Sequence, residues 1–346
     1  MTDRPFLPAS LPLVTIGIPA YNAGQWIVPA VESALAQTWP KKELLILDDG
    51  SSDGTRDRIS AYGDRIRLLE AKSGRSSLAR QRLLEEASGE WIQWLDHDDS
   101  LLPEKINLQI AEAGDLADAD VLFSPYFLER WNGGRVVSCN PQPIDDPQDL
   151  QRAWLSSQFP QNGALLWRRK SLLSIGGWKD LPTDYYDDYQ LYWRAIRAKL
   201  RFRFTPTPGA IYRVCHQESL TSSNIPEALR WRARMVRQAS QELRSAGEWT
   251  LARRAAAQAE YARLLRVLDR LAPELLGPLI QEALPADLWS EETLAREAEP
   301  NFRWLVRLLG WRSACLLRRS FRGWERRLRL FRKDVFGSSR RAARLL

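Results

Sequence analysis

The sequence predicts an α/β domain followed by an α-helical region. Over the first 100 residues, short apolar runs rich in β-formers alternate with segments that have helical spacing. Acidic, glycine and serine residues come directly after several of these runs, as expected where strands end in loops. From about residue 225 the composition changes to Ala, Leu, Arg and Glu with helical periodicity and few β-formers.

The order of these patterns predicts the arrangement of the first sheet. Strand patterns occur at LVTIGIPAY, KELLILDD, RIRLLEA and EWIQWLDHDD. Helical patterns lie between them, at AGQWIVPAVESALAQ, TRDRISAYG and SLARQRLLEEAS. Alternating strands and helices imply parallel strands with right-handed crossovers, and such sheets bind ligands beyond the carboxyl ends of their strands.

The remainder of the chain divides into a mixed segment and a helical one. Between residues 118 and 220, strands are predicted at DVLFSPYFLER and GALLWRR and a helix at YQLYWRAIRAKL. Further helices, separated by prolines, are predicted at 227–246, 249–272 and 302–333. We therefore predict one domain over residues 1–224 and a helical region over residues 225–346.

Composition favours a cytoplasmic globular protein. The 346 residues are 44% hydrophobic, and the three cysteines lie far apart with no CxxC pair, which favours a reducing compartment. Residues 5–31 carry no charge, but they contain five prolines, which argue against a membrane-spanning helix. The N-terminus lacks a basic segment followed by a continuous apolar one, so we expect no signal peptide.

The basic charge is concentrated at the C-terminal end. Residues 301–346 hold fourteen Lys and Arg against two acids, whereas the whole chain carries only +7, so the rest is mildly acidic. Apolar residues recur at helical spacing between these arginines, at Phe321, Trp324, Leu328 and Phe331. This cationic amphipathic helix is expected either to pack on the acidic body or to attach to the inner face of an anionic membrane. Nucleic-acid binding is a third interpretation, disfavoured because the remainder is acidic and has no nucleic-acid-binding motif.

Four aspartates follow the second and fourth predicted strands: Asp48, Asp49, Asp96 and Asp98. Because carboxyl ends of parallel strands meet at one edge, these side chains are expected in one cleft. Carboxylates this close need a positive partner, and their oxygens suit Mg²⁺ or Mn²⁺, which would complete its shell with substrate phosphates. The alternatives are an acidic surface loop or helix capping, and capping is the interpretation favoured for Asp99.

Five segments in order resemble the motifs of family 2 glycosyltransferases. They are VTIGIPAYNA, QTWPKKELLILDDGSSDGT, SSLARQR, GEWIQWLDHDDSLLPEK and GGWKD followed by DYYDDYQLYWR, within about residues 12–222. The resemblance implies a GT-A fold, a Rossmann-type mixed sheet flanked by helices. It does not extend to the helical C-terminal region.

The resemblance also implies a role for individual residues in binding a nucleotide sugar. The turn from Pro19 through Tyr21 to Asn22 would line the base, and Asp49, with Asp48 beside it, would accept a hydrogen bond from the base. Arg80 would lie near the nucleotide. The family's asparagine beside this arginine is Gln81 here, so no role is carried over to that position.

The DxD motif of the family corresponds to Asp96 and Asp98. Asp96 would face the ribose or the water shell of the metal, and Asp98 would bind the metal. His216, in a segment similar to the family's YRxH but one residue longer, would be a second metal ligand.

The catalytic base implied by the resemblance is Asp188. The family has a Glu-Asp pair at a helix start, and this chain has Asp187-Asp188. The chemistry agrees, because inverting transfer needs a carboxylate on the face opposite the departing diphosphate to take the proton of the acceptor hydroxyl. The alternative for both aspartates is a helix-capping or dipole role.

These observations favour a metal-dependent inverting glycosyltransferase that moves a sugar from a nucleoside-diphosphate sugar to an acceptor hydroxyl. The expected acceptor is a glycan or a lipid-linked glycan, in cell-surface polysaccharide synthesis. Two alternatives stay open: a nucleotidyltransferase, although the first loop lacks the Lys or Arg of a triphosphate site, and a catalytically inactive sugar-nucleotide-binding protein.

Overall fold

The computed structural model describes residues 11–132, 134–144, 146–178, 183–215 and 225–271. The strands are β1 Val14–Ala20, β2 Lys42–Asp48, β3 Arg67–Glu70, β4 Trp91–Trp94, β5 Ser100–Leu101, β6 Val121–Phe123, β7 Tyr126–Asn132, β8 Arg135–Gln142, β9 Leu165–Arg168, β10 Phe202–Phe204 and β11 Ala210–Cys215. The helices are α1 Ile27–Leu35, α2 Thr55–Ser60, α3 Ser76–Glu86, α4 Lys105–Ala113, α5 Leu150–Leu155, α6 Arg169–Ser174, α7 Asp187–Arg197, α8 Ile225–Ser245 and α9 Leu251–Leu271. The chain forms two compact units, Met1–Ala228 and Leu229–Leu346.

A seven-stranded mixed sheet forms the centre of the first unit. Its order is β10-β6-β9-β4-β1-β2-β3. The four strands predicted first are parallel, as their alternation with helices implies, because β1 pairs in parallel with both β2 and β4, and β2 with β3. Strand β9 is antiparallel to both β4 and β6, which makes the sheet mixed.

The core lies on both faces of this sheet. All seven residues of β1 are buried, which explains why its sequence is a continuous apolar run instead of an alternating one. Helix α3 packs against β1 and β2, and α4 packs against β6. The large side chains of Trp39 and Trp91 are fully buried, and the Trp39 indole donates to the Pro12 carbonyl at 3.0 Å.

A second sheet of four strands, in the order β5-β11-β7-β8, lies within the same unit. Strand β11 pairs antiparallel with β5 and parallel with β7. Because β5 begins at Ser100, directly after the LDHDD segment, this sheet holds one side of the predicted site.

The described part of the second unit consists of helix α9 and most of helix α8, which begins just before the unit boundary. Both helices lie in segments that the sequence predicts to be helical. Buried aliphatic residues such as Val236 and Leu264 form its core, and the Tyr261 hydroxyl donates to the Ala233 carbonyl at 3.3 Å. None of the helices described is long and apolar enough to cross a membrane. The predicted basic helix at 302–333 lies outside the described residues.

Candidate active site at the carboxyl edge of the sheet

The carboxyl ends of β1, β2 and β4 bring the predicted site residues to one edge. Strand β1 lies between the other two, and Ala20 is in register with Asp48. The Asp49 amide donates to the Ala20 carbonyl at 2.8 Å, and the Leu95 amide donates to Gly17 at 3.1 Å. Sequence order alone would leave these segments far apart, and the strand pairing places them side by side.

The turn after β1 is tied to the loop after β2. Pro19 lies near the end of β1, and Tyr21, just after the strand, is 58% exposed. Asn22 adopts a positive φ of 45°, its amide donates to the Ser51 hydroxyl at 2.9 Å, and its side-chain oxygen accepts from the Ser52 amide at 2.9 Å. The two loops therefore form one hydrogen-bonded surface beside an exposed aromatic ring.

Asp49 is held by a residue that the sequence did not single out. Its carboxylate accepts from both the amide and the hydroxyl of Ser73, at 2.5 and 2.8 Å. Asp48 accepts more weakly from the Ser51 amide, at 3.3 Å. Asp49 is thus oriented by the segment that leads into α3, and Asp48 by its own loop.

Arg80 joins two parts of the site that are distant in sequence. This buried side chain donates to Asp96 at 2.6 Å and to Asp187 at 2.7 Å. Burial by itself would lower the pKa of the Arg80 guanidinium, but the Asp96 and Asp187 carboxylates raise it, so the group stays positive. Arg80 is thus a positive partner for Asp96, one of the four predicted aspartates, and it links the end of β4 to the start of α7.

A stack of aromatic rings supports Arg80. The guanidinium lies 4.9 Å from the ring of Trp178, which meets Trp94 edge to face at 5.9 Å. A β-carbon at Gly17 would lie 2.8 Å from Cζ3 of Trp94, so the glycine leaves room for that indole on β1. The core of the sheet therefore determines where the arginine sits.

Asp188 is half-buried in the first turn of α7. Its carboxylate accepts from the Tyr189 amide at 2.8 Å. Burial raises the pKa of Asp188 to about 7, with the neighbouring Asp187 charge adding to the effect. A carboxylate that titrates near neutral pH can accept a proton from a hydroxyl during catalysis.

The segment before α7 is attached to the N-terminus of α3 through Asp184. This residue accepts from the Ser77 hydroxyl at 2.6 Å and from the Ser76 amide at 3.2 Å. The sequence analysis missed Asp184, and the available signal was a serine pair at the start of a helix whose first turn holds no acidic residue.

The DHDD turn is held by a second residue that was missed, Arg213 on β11. Its backbone amide donates to the Asp99 carboxylate at 2.9 Å, and its guanidinium donates to the backbone carbonyls of Asp98 and Asp99. The expectation that Asp99 caps the next helix is wrong, because α4 starts at Lys105 and its N-cap residue, Glu104, makes no side-chain cap bond. Asp99 is instead buried beneath the turn.

The predicted metal site fits a cation in part. Burial raises the pKa of Asp98, with the Asp96 charge also contributing, so a bound cation would relieve an unfavourable charge there. No group of three or more His, Cys, Asp or Glu side chains within the described residues is arranged to hold a metal. His216, the other predicted ligand, lies outside those residues.

Sequence comparison identifies the family of the first unit. The family model of Glycosyl transferase family 2 matches residues 15–174, which include the ends of β1, β2 and β4. Residues 15–174 therefore form a domain of glycosyltransferase family 2. The match ends before Asp184 and Asp188, so the roles of these two residues are argued from geometry.

Curated relatives agree with the family assignment. An uncharacterized glycosyltransferase of Rickettsia typhi is 38% identical over 192 residues, covering 54% of this chain and 59% of that protein. The UDP-Glc:alpha-D-GlcNAc-diphosphoundecaprenol beta-1,3-glucosyltransferase WfgD of Escherichia coli is 41% identical over 101 residues, covering 29% of this chain and 40% of that enzyme. The chain thus spans less than two thirds of the length of either relative.

Solved structures share the fold. TarS of S. aureus, residues 1–349 in complex with UDP, aligns with a TM-score of 0.56 and 19% identity, covering 90% of this chain and 91% of that one. The mannosyltransferase PcManGT of Pyrobaculum calidifontis, in complex with GDP-Man and Mn²⁺, aligns with a TM-score of 0.50 and 19% identity, covering 81% and 83%. The GT-A glycosyltransferase fold is therefore confirmed, with the mixed sheet that the resemblance implies.

Proposed function

We propose that this family 2 glycosyltransferase is an inverting enzyme that moves a sugar from a nucleoside-diphosphate sugar to an acceptor hydroxyl, with Asp188 as the base. The observation that carries the proposal is the bridge through Arg80. It joins Asp96, at the end of β4, to Asp187, and this supports a site in which Asp188 faces the turns that we propose bind the donor.

The proposed site has a donor side and an acceptor side. On the donor side, the exposed Tyr21 ring and the Asn22 turn offer a surface for a nucleobase, and Asp49 offers a carboxylate that Ser73 already orients. On the acceptor side, Asp188 takes the hydroxyl proton while the acceptor oxygen bonds to the anomeric carbon and the bond to the diphosphate breaks. Attack from the face opposite the leaving group inverts the configuration of that carbon.

The residues around Asp188 supply what this step needs. Asp187 and burial keep the Asp188 carboxylate basic, while Arg80 limits the total negative charge by pairing with Asp187 and Asp96. A divalent cation, Mn²⁺ or Mg²⁺, would be held by Asp98 with Asp96 nearby, and would neutralise charge on the departing diphosphate. The Mn²⁺ and GDP-Man in the PcManGT structure support this choice of cofactor.

The acceptor proposed is a glycan, free or lipid-linked, in cell-surface polysaccharide synthesis. This follows from the relatives, since the E. coli enzyme acts on a diphosphoundecaprenol-linked sugar, by its name, and a putative teichuronic acid biosynthesis glycosyltransferase of Bacillus subtilis is 40% identical over 104 residues. Attachment of the basic C-terminal segment to the inner face of a membrane stays a prediction from sequence.

The experiment that tests the proposed function measures nucleoside diphosphate release. The purified chain is incubated with UDP-, GDP- and dTDP-sugars in Mn²⁺ or Mg²⁺, with chelator as the control. We expect release from one donor class that requires metal and is lost in Asp188→Asn. Release of pyrophosphate from nucleoside triphosphates instead would favour the nucleotidyltransferase alternative, and donor binding without release would favour the inactive binding protein.

A further inference from the structure

We propose that Asp184 is a positioning residue that holds the Asp188 carboxylate in its working place by anchoring the preceding segment to α3. The inference rests on the proposed function, since it assigns a role in delivering the proposed base. Nothing in the family match covers this residue, which follows the matched range.

Both carboxylate oxygens of Asp184 are bound at the start of α3. Its Oδ2 accepts from the Ser76 amide at 3.2 Å, and its Oδ1 accepts from the Ser77 hydroxyl at 2.6 Å and from Arg75 at 3.3 Å. Helix α3 has no side-chain cap at its own N-cap residue, Arg75. Asp184 therefore supplies the cap from more than 100 residues later in the chain, where the helix dipole also favours a carboxylate.

A second anchor, Asp187, lies on the other side of a residue with strained backbone geometry. Asp187 accepts from the Ser76 hydroxyl at 3.0 Å and from Arg80. Between the two anchors, Tyr186 has a left-handed φ of 53°. A bulky residue keeps this conformation only where its surroundings hold it, and here Asp184 and Asp187 hold it from both sides.

The effect of losing the Asp184 anchor is expected to stay local. The later turns of α7 are fixed independently, because Leu191 and Tyr192 are fully buried and the Tyr192 hydroxyl donates to the Asn162 side chain at 2.8 Å. Without the Asp184 anchor, Tyr186 can leave its left-handed conformation and the first turn of α7, which carries Asp188, can shift. The helix as a whole stays in place.

The test compares Asp184→Asn with a matched control, Asp149→Asn. Asp149 accepts from the Arg152 amide at 2.9 Å at the start of α5, so the control also replaces a helix-capping carboxylate by an amide. With a donor that the wild type uses, we expect Asp184→Asn to lower kcat by about 10- to 100-fold. The KM for the donor should change by less than about threefold, since the donor side is untouched. Asp149→Asn should keep the wild-type kcat, even if its melting temperature falls as far as that of Asp184→Asn.

A second readout needs no substrate. Hydrogen exchange of the amides in residues 185–190 should be faster in Asp184→Asn than in the wild type, and unchanged in Asp149→Asn. Wild-type kcat in Asp184→Asn, or wild-type protection of these amides, would overturn the inference. A wild-type protein that releases no nucleoside diphosphate from any donor would instead contradict the proposed function, so the two failures are distinct.

Discussion

The two units of this protein each bury an arginine against carboxylates, with different consequences. In the first unit, Arg80 faces Asp96 and Asp187, and Asp188 lies beside them. In the second unit, Arg232 is fully buried and donates to Glu260 at 3.0 Å, and Arg263 donates to the same carboxylate at 2.7 Å.

The difference lies in burial and in the balance of charge. In the first unit burial raises the pKa of Asp188 to about 7, the charge of Asp187 adds to the effect, and one guanidinium serves both Asp96 and Asp187. In the second unit two arginines bind one glutamate between two helices. Burial beside a second carboxylate creates a proton acceptor, whereas the glutamate paired with its two arginines joins two helices.

The largest expected effect is on catalysis at Asp188. Asp188→Asn removes the proton acceptor while preserving shape, so we expect kcat to fall by about 10²- to 10⁴-fold with little change in donor affinity. The measurement is steady-state nucleoside diphosphate release, with donor binding followed by calorimetry. Asp118→Asn, at an exposed pair with Arg201, is the control and should retain full activity. Normal turnover by Asp188→Asn would refute the assignment of the base.

The next effect is on stability in the second unit. Glu260→Ala leaves the buried Arg232 without this partner, and breaking such a pair costs about 3–5 kcal/mol of unfolding free energy. Urea unfolding measures the change. The double variant Arg232→Met with Glu260→Leu should recover most of the loss, because two apolar side chains replace the pair. If the double variant is as unstable as Glu260→Ala, the pair has a role other than packing.

The pH dependence of turnover gives a smaller effect. Because the raised pKa of Asp188 is about 7, this carboxyl is protonated and unable to accept a proton below that pH. We expect kcat to reach its plateau above pH 7 and to fall about tenfold per pH unit below it. The same shift means that the folded state binds a proton more tightly than the unfolded chain. The contribution to stability is therefore present at low pH and is lost as pH rises through about 7. A kcat that is flat between pH 5 and pH 8 (both about one unit or more from the pKa) would contradict the assignment.

The smallest effect is expected at Ser73. Ser73→Ala removes one of two hydrogen bonds to Asp49, and a loss of about 1 kcal/mol corresponds to an increase in donor KM of about fivefold, with kcat unchanged. Ser174→Ala, which removes a hydroxyl bonded to the Ser171 carbonyl in α6, is the matched control. An unchanged donor KM in Ser73→Ala would indicate that Asp49 does not contact the donor.

Much of the site was predictable because it follows the ends of strands. The apolar runs mark β1, β2 and β4, and the aspartates directly after β2 and β4 must then lie at the same edge of a parallel sheet. The capping role expected for Asp99 was wrong because local sequence does not show that β11 lies alongside this turn and supplies Arg213. The antiparallel direction of β9 was equally hidden, since a short buried strand reads the same in either direction.

The sequence by itself determined the family, the order of strands and helices, and which carboxylates lie at the carboxyl edge of the sheet, because these depend on local patterns and spacing. Only the tertiary structure decided the partners of those carboxylates: Arg80 between Asp96 and Asp187, Ser73 on Asp49, and Asp184 at the start of α3. Such contacts join residues up to about 100 positions apart, and no local pattern encodes them. The raised pKa of Asp188 is also decided by the tertiary structure, because it depends on burial and on charges that folding brings together.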